Sequence, residues 1–356
     1  MKRVSFIKYL LIASLLFAII PFGFSQDKLP NVVILATGGT IAGTGESSTG
    51  SAYTSGKVAI EDMINAVPNI RKLANLKGEQ ISNVGSQDMS VKIWLDLANR
   101  INELLATPDV DGIVITHGTD TQEETAFFLN LVVKSKKPVV LTGSMRPSTA
   151  LSAEGPLNLY NAVAVAASSL SKGRGVMVVM NDEIHSAHAV KKMITTPVQT
   201  FKSPMHGLLG TVIFGDIVYY HYPHGLNTVN SEFSVEGVKE LPRVDIVYAC
   251  ADMSPDLIDL MVKAGVKGIV IAGVGDGNMT AATLEATKRA TDKGVKIVRA
   301  SRVPIGAVLI HGEVDDTKYG TVASADLNPQ KARVLLMLAM LKDRSRDELQ
   351  QLFIKY

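Results

Sequence analysis

Residues 111–121 read Asp-Gly-Ile-Val-Ile-Thr-His-Gly-Thr-Asp-Thr, a short apolar run that changes abruptly into a polar turn. A β-branched run of this length, followed by glycine and hydroxyl residues, is typical of a buried strand. A helical segment, Glu123 to Val133, comes next. The order of strand, polar turn and helix predicts one unit of an α/β fold with a mostly parallel sheet.

The same alternation continues on both sides of this unit. Strands are predicted at Asn31 to Ala36, Gln80 to Gly85, Asp111 to Thr116, Pro138 to Thr142 and Gly175 to Met180. Helices are predicted for an apolar stripe from Trp94 to Leu105 and for Gly155 to Ala167. Thr211 to Phe214 and Ile217 to Tyr220 are predicted to form a hairpin around a Gly215-Asp216 turn. We therefore expect a larger N-terminal domain, residues 26–220, with a mostly parallel sheet plus a hairpin.

A smaller C-terminal α/β domain, residues 243–356, is predicted after a linker at residues 221–242, where the sequence is polar and aperiodic. Three strands are predicted in it, at Val244 to Ala249, Gly268 to Ala272 and Val295 to Arg299. Four helices are predicted as well, at Pro255 to Ala264, Ala281 to Lys293, Pro329 to Leu341 and Arg346 to Phe353.

Residues 1–25 have the pattern of a secretory signal peptide. Basic residues precede an apolar run from Tyr9 to about Phe24, and Gly23 and Ser25 suit the small positions before a cleavage site. An uncleaved anchor is the alternative, although Pro21 interrupts the run and the run is short for a membrane span. We therefore expect a periplasmic or secreted protein without membrane contact once the leader is removed.

Composition narrows the range of partners and of covalent bonds. Removing the leader, with three basic and no acidic residues, changes the balance from 36 basic against 34 acidic residues to 33 against 34, so the net charge moves from +2 to −1. A nearly neutral chain without a basic cluster gives no indication of nucleic-acid binding. Cys250 is the only cysteine, so an intrachain disulfide is impossible. Its apolar neighbours favour a small buried side chain over a reactive thiol.

Polar residues follow three of the predicted strands, at Thr37 to Thr40, Gly85 to Asp88 and Thr116 to Thr121. Ligands of open parallel sheets bind beyond the carboxyl ends of the strands. Helix caps and turns use the same residue types, so one such loop alone would carry little weight. Three of them together favour a polar pocket.

Other kinds of site fit the sequence less well. Gly38-Gly39 and Gly273 to Gly277 lack the spacing of a dinucleotide-binding or phosphate-binding loop. His185 and His188 are the nearest approach to a metal cluster, and we expect them on a solvated loop. A Gly-x-Ser-x-Gly motif is absent from the sequence, which disfavours a Ser-His-Asp hydrolase. No metal and no cofactor are expected.

Two segments, Ala36 to Gly43 and Ile115 to Thr121, resemble the signature segments of the bacterial L-asparaginases and glutaminase-asparaginases. The resemblance covers essentially the whole chain after the leader, and the leader resembles that of the exported type. It continues through residues 85–89, 145–147, 155–162, 179–182, 301–304, 313–316 and 328–333.

The resemblance implies hydrolysis of the side-chain amide of asparagine by a threonine nucleophile. Thr40 matches the primary nucleophile, and Tyr53 matches its hydrogen-bond partner on a mobile loop. Thr119, Asp120 and Lys192 match a second catalytic group. The division of labour between the two threonines stays open, as does the preference for asparagine or glutamine, because one methylene changes binding by only about 1–3 kcal/mol.

The resemblance also implies a homotetramer whose site is completed by a neighbouring subunit. Asn278 and Glu313 match the residues that the neighbour contributes. The substrate-binding residues implied are Ser86, Gln87, Thr119, Asp120, Asn278 and Glu313.

Elementary chemistry supports these residue types. A threonine hydroxyl needs an adjacent proton acceptor, and a partly desolvated lysine beside Thr119 would suit that role. Lys191 is the alternative to Lys192. The oxyanion formed on attack needs N–H donors, which glycine-rich turns can present. The segment from Thr44 to Ser55 has the composition either of a lid or of an ordinary loop. Two further hypotheses are a periplasmic amino-acid binding protein and a nucleotide-binding or oxidoreductase domain.

Overall fold

The computed structural model describes residues 28–49, 54 and 56–356. The predicted signal peptide and the predicted catalytic Tyr53 lie outside the described residues. Within the described part of the chain, no helix combines the length and the apolar character that a membrane crossing requires.

An eight-stranded sheet forms the centre of the N-terminal domain. Its strands are β1 (Asn31–Gly38), β2 (Asn75–Val84), β3 (Gly112–Thr116), β4 (Val139–Thr142), β5 (Val176–Met180), β6 (Glu183–Ser186), β9 (Gly210–Ile213) and β10 (Asp216–Tyr219). The order is β10-β9-β6-β5-β4-β3-β1-β2, in which β2 to β5 pair in parallel and the three strands beyond β5 pair antiparallel. A separate two-stranded sheet joins β7 (Lys191–Lys192) to β8 (Phe201–Lys202).

Helices cover both faces of this sheet. They are α1 (Ile60–Asn65), α2 (Val91–Ala106), α3 (Gln122–Val132) and α4 (Gly155–Ala167). Alternate residues of each parallel strand point to opposite faces, so Val33 and Ile113 pack with α2 and α3, whereas Val32 and Val114 pack with α1 and α4. Because both faces are buried, the inner strands β1, β3, β4 and β5 are almost continuously apolar, whereas the edge strand β2 is not.

The C-terminal domain contains a four-stranded parallel sheet. Its strands β11 (Val244–Tyr248), β12 (Gly268–Gly273), β13 (Lys296–Ser301) and β14 (Thr321–Ala323) lie in chain order. Its helices are α5 (Asp256–Lys263), α6 (Ala281–Asp292), α7 (Asp316–Tyr319), α8 (Pro329–Ala339) and α9 (Arg346–Lys355). Helix α8 belongs to the same core as α2 and α3, so one apolar core continues from the large domain into the small one.

Short 3-10 helices complete the secondary structure of the described residues. They lie at Thr40–Ala42, Ile70–Lys72, Ser86–Asp88, Ser169–Ser171 and Thr228–Asn230. The predicted fold class is confirmed, since the large domain has a mostly parallel sheet with an antiparallel hairpin and the small domain a parallel sheet. The division of the chain into two domains by a linker at residues 221–242 remains a prediction.

Several local predictions were wrong. The hairpin turns at Phe214-Gly215, one residue before the predicted position, because both residues adopt the positive φ angles (49° and 92°) that a tight two-residue turn requires. Cys250 is exposed rather than buried, since it lies just beyond the end of β11. His185 and His188 are buried rather than solvated. His185 belongs to strand β6, and His188 lies against the C-terminal domain, where Lys331 donates to its backbone carbonyl.

Candidate active site

The candidate site lies where the sheet changes its direction of winding. Strands β1 and β3 are neighbours, yet the chain leaves β1 toward β2 on one side and β3 toward β4 on the other. A crevice forms beyond the carboxyl ends of two such strands. Thr40 follows β1 and begins a 3-10 helix, whereas Thr119 and Asp120 follow β3. Thr40, Thr119 and Asp120 therefore lie at the same crevice.

Two glycines allow the loops after β1, β2 and β3 to touch. Gly39 has a φ of 82°, and a Cβ atom added there would lie 2.4 Å from the backbone N and Cα of Gly118. A Cβ atom on Gly118 would lie 2.7 Å from Oγ of Ser86. Such distances are far below van der Waals contact, so any side chain at Gly39 or Gly118 would separate the loops.

Ser86 fixes the loop that carries Thr119 and Asp120. Its hydroxyl oxygen accepts a hydrogen bond from the backbone N–H of Asp120 at 3.0 Å, and its carbonyl accepts one from the Thr121 hydroxyl at 2.7 Å. Ser86 is buried, whereas its neighbour Gln87 is exposed and donates to Asp88. Ser86 thus supports this loop from a buried position, whereas Gln87 lies exposed beside it.

Lys192 reaches the crevice from strand β7. Its ammonium donates to Oγ1 of Thr119 at 2.9 Å and to Oδ1 of Asp120 at 2.5 Å. Successive side chains of a strand point in opposite directions, so Lys191 turns away and donates to the carbonyl of Pro304 at 2.9 Å. Of the two lysines, Lys192 is the one beside Thr119.

Glu123 holds the backbone of Lys192, and sequence reasoning did not identify it. Its Oε2 atom accepts from the backbone N–H of Lys192 at 2.7 Å, and its Oε1 atom accepts from Nδ2 of Asn328 at 2.9 Å. Asn328 in turn caps helix α8 through the N–H of Lys331. The C-terminal domain therefore positions Lys192 through one buried carboxylate. Only the place of Glu123 in the first turn of α3, just after the polar loop, could have suggested this role.

His117 is a structural part of the same loop. Nε1 of Trp94 donates to the Thr125 hydroxyl at 2.8 Å, which leaves that hydroxyl to donate to Nε2 of His117 at 2.9 Å. Nδ1 of His117 then donates to the carbonyl of Gly118 at 2.7 Å. Burial lowers the pKa of His117 to about 4, although the Gly118 carbonyl opposes this shift. A neutral imidazole therefore anchors Gly118 at neutral pH.

The crevice opens into a cavity of about 620 Å³. Thr40, Thr119, Asp120 and Lys192 line it together with residues 48–49, 145–147, 150–151 and 195–196. Thr44 and Thr54 exchange backbone hydrogen bonds of 3.1 and 3.0 Å, and Ser48 and Thr49, which follow Thr44, line this cavity. A cavity of this size accommodates a small polar ligand.

Asn278 and Glu313 lie together in the C-terminal domain, where Nδ2 of Asn278 donates to Oε2 of Glu313 at 2.5 Å. Neither belongs to the described residues that line the cavity. Arg299 holds both of their loops by donating to the carbonyls of Asp276 and Leu309 at 3.0 and 3.1 Å. Within one chain, Asn278 and Glu313 therefore form an ordered pair outside the cavity lining.

Family models match nearly the whole described chain. The model "Asparaginase, N-terminal" matches residues 31–224, and the model "Glutaminase/Asparaginase C-terminal domain" matches residues 243–353. This chain belongs to the asparaginase family. The family resemblance found in the sequence is thereby confirmed, and the asparaginase-type hydrolase it implied is the enzyme class of this chain.

Individual asparaginases show the same likeness at high identity. The chain is 52% identical to "Probable L-asparaginase periplasmic" of Haemophilus influenzae, over 91% of this chain and 93% of the relative. It is 48% identical to "Glutaminase-asparaginase" of Pseudomonas fluorescens biotype A, over 93% and 92%. The solved structure of "Probable Cytoplasmic L-asparaginase" from Campylobacter jejuni matches with a TM-score of 0.89 at 46% identity, covering 92% of this chain and all of that one.

Proposed function

We propose that this protein hydrolyses the side-chain amide of L-asparagine to L-aspartate and ammonia, and that it also accepts L-glutamine. The observation that carries this proposal is the 2.9 Å contact between Nζ of Lys192 and Oγ1 of Thr119 on the wall of a cavity that Thr40 also lines. The relatives named L-asparaginase and glutaminase-asparaginase support the two substrates. They give no support to a non-catalytic binding protein.

In the proposed reaction the Thr40 oxygen attacks the amide carbon. Its proton passes to the departing nitrogen, with Tyr53 as the hydrogen-bond partner of Thr40, and ammonia leaves as an ester forms between Thr40 and the substrate. Water then attacks this ester and releases aspartate and the threonine hydroxyl. Thr119, Asp120 and Lys192 serve as the second group, which takes up and returns a proton during the two steps.

Backbone N–H groups of the strand-exit loops would stabilise the negative oxygen formed in each step. The loops after β1 and β3 touch at Gly39 and Gly118. The N–H groups of Gly39 and Asp120 already donate to the Val84 carbonyl and the Ser86 hydroxyl, so other N–H groups of these loops would have to serve. Each such donor contributes about 3 kcal/mol of transition-state stabilisation. Ser86, Gln87 and Asp120 would hold the amino-acid end of the substrate.

We infer that a neighbouring subunit of a homotetramer supplies Asn278 and Glu313. Within one chain these two residues form an ordered pair away from the cavity, which agrees with a role at the site of another copy. We also infer export to the periplasm or the medium, on the basis of the N-terminal leader and the relative named periplasmic.

Ammonia release by the purified protein lacking residues 1–25 tests the reaction. We expect turnover of both amides, and losses of several orders of magnitude in Thr40→Ala and in Thr119→Ala. Rates equal to the parent in either variant would overturn the threonine mechanism. Quenched reactions analysed by mass spectrometry would show which threonine carries the ester.

Mixing two inactive variants tests the shared site. If Glu313 acts in the site of a neighbour, then Thr40→Ala and Glu313→Ala copies that are unfolded and refolded together will form some intact sites. Activity should reappear in the mixture and in neither variant alone. A mixture as inactive as its components would contradict a site shared between subunits.

A further inference from the structure

Three side chains from distant parts of the sequence converge on one point away from the candidate active site. His188 lies after β6, His206 lies between β8 and β9, and Asp326 lies after β14 in the C-terminal domain. Nε2 of His188 is 2.8 Å, and Nε2 of His206 2.5 Å, from the same Oδ2 atom of Asp326. One ligand atom from each of the three lies within 4.8 Å of the others.

A third imidazole stands beside this group. The ring of His224 stacks on that of His206 with centroids 5.1 Å apart, and it lies 5.8 Å from the ring of His188. Two of the seven histidines of the chain therefore contact one carboxylate, and a third stacks on one of them. Imidazole and carboxylate are the donors that zinc takes in open sites, where three protein ligands leave the fourth position to water or another group.

We propose that His188, His206 and Asp326 bind a divalent zinc ion, with His224 or water as the fourth ligand. Each imidazole would bind through Nε2 as a neutral ligand, with its ring proton on Nδ1. Zinc bonds of about 2.0–2.2 Å in tetrahedral geometry separate two ligand atoms by about 3.4 Å. The carboxylate therefore has to withdraw by about 0.5–1 Å from its present hydrogen-bonding position. The side chains of His206 and Asp326 are 26% and 20% exposed, which gives an ion a path to the site.

The proposed zinc site joins the two domains. Two ligands belong to the N-terminal domain and the third to the C-terminal domain. Since the chain has one cysteine, no disulfide can make this link. The Nζ atom of Lys331 also donates to the carbonyl of His188 at 2.6 Å, and Lys192 follows His188 by four residues. A bound ion would therefore brace the segment that carries Lys192.

One nearby charge opposes the ion. Lys331 is fully buried, and burial lowers its pKa to about 8, with Lys191 adding to this effect and Glu123 and Asp326 opposing it. Its ammonium weakens the attraction of the site for a cation. We therefore expect zinc to bind less tightly than at a fully built structural site with four protein ligands.

The test uses tag-free protein lacking residues 1–25, freed of metal with EDTA and dialysed. Calorimetric titration with zinc chloride should show one ion per chain, and the melting temperature should rise with zinc concentration. Both effects should be lost in His206→Gln and Asp326→Asn, with affinity reduced by more than about 100-fold. His311→Gln, which alters an exposed histidine elsewhere in the small domain, should bind zinc as the parent does.

Melting curves in EDTA show first which variants are folded, and the zinc titration is interpreted for those alone. The two substitutions lie in different domains and keep the size of the side chain, so at least one folded variant is expected. Absence of saturable zinc binding by the parent would overturn the proposal. Equal zinc affinity in the parent and in a folded His206→Gln or Asp326→Asn variant would overturn it as well.

Discussion

The Nζ atom of Lys192 lies 2.9 Å from Oγ1 of Thr119, although 73 residues separate the two in the sequence. The contact depends on a two-residue strand, β7, and on the carboxylate of Glu123, which accepts the backbone N–H of Lys192. Lys192 in the crevice is thereby held in place by Glu123, whose own side chain does not line the crevice.

Lys192→Met should lower kcat by about 10²–10⁴-fold, because it removes the group that we propose exchanges a proton with Thr119. Lys191→Met is the matched control, since it changes the neighbouring lysine, which donates to Pro304 instead. Steady-state kinetics with both amides measure the effect. Equal losses in the two variants would argue against a specific role for Lys192.

Gly39→Ala should reduce kcat/KM by about 100-fold or more, because a Cβ atom 2.4 Å from the backbone of Gly118 forces the loops after β1 and β3 apart. Gly173→Ala provides the control. Its φ of 74° is similar, but no atom lies within 4 Å of the added carbon. That variant should lose only about 1–2 kcal/mol of stability and retain activity. Kinetics and thermal melts of both variants separate crowding from backbone strain.

Glu124→Gln should stabilise the protein more at pH 8 than at pH 4. Burial raises the pKa of Glu124 to about 7, against the attraction of Arg333 and with a contribution from Glu123. The folded state therefore keeps a proton that the unfolded chain loses above pH 4.5. The stability that this proton contributes is fully present below pH 4.5 and is lost as the pH rises through 7.

The amide of Glu124→Gln does not titrate, so this pH dependence of stability disappears. The free energy of unfolding of the variant should exceed that of the parent by about 1–3 kcal/mol at pH 8 and by little at pH 4. Denaturant unfolding at several pH values measures the difference. Glu236→Gln, at an exposed position, is the control and should follow the parent at every pH. A constant offset between Glu124→Gln and the parent would contradict the expectation.

Asp316→Ala should cost about 3–5 kcal/mol of stability, because it leaves the guanidinium of Arg299 buried without its carboxylate. Asp316 accepts from Nε and Nη2 of Arg299 at 2.7 and 2.8 Å, and both side chains are fully buried. Asp315→Ala, one residue earlier, removes only the cap of α7 and should cost about 1 kcal/mol. The first variant should also impair activity, since Arg299 holds the loops of Asn278 and Glu313.

The elements best predicted from the sequence were those with a strong local pattern. The apolar runs of β1, β3, β4 and β5 and the stripe of α2 each identify a buried element without reference to the rest of the chain. Strand β2 was predicted too short, starting at Gln80 instead of Asn75. It lies at the sheet edge and is nowhere fully buried, so its first residues lack an apolar signature.

The shortest elements were not predicted. Helices α1 and α7 and strands β6, β7, β8 and β14 have at most six residues each, too few for a periodic apolar pattern to identify them. The candidate site shows the same division. Loops after β1, β2 and β3 could be grouped from strand order alone, whereas the contacts of Glu123 with Lys192 and Asn328 span 69 and 205 residues. No local pattern specifies such a pairing.

The exposed position of Cys250 determines which disulfide bonds this protein can form. With a single thiol per chain, oxidation can join two molecules but cannot close a loop within one. Any reductant-sensitive species above the size of one chain is therefore a crosslinked pair. The same thiol provides one defined attachment point on the small domain for a fluorophore or a polymer.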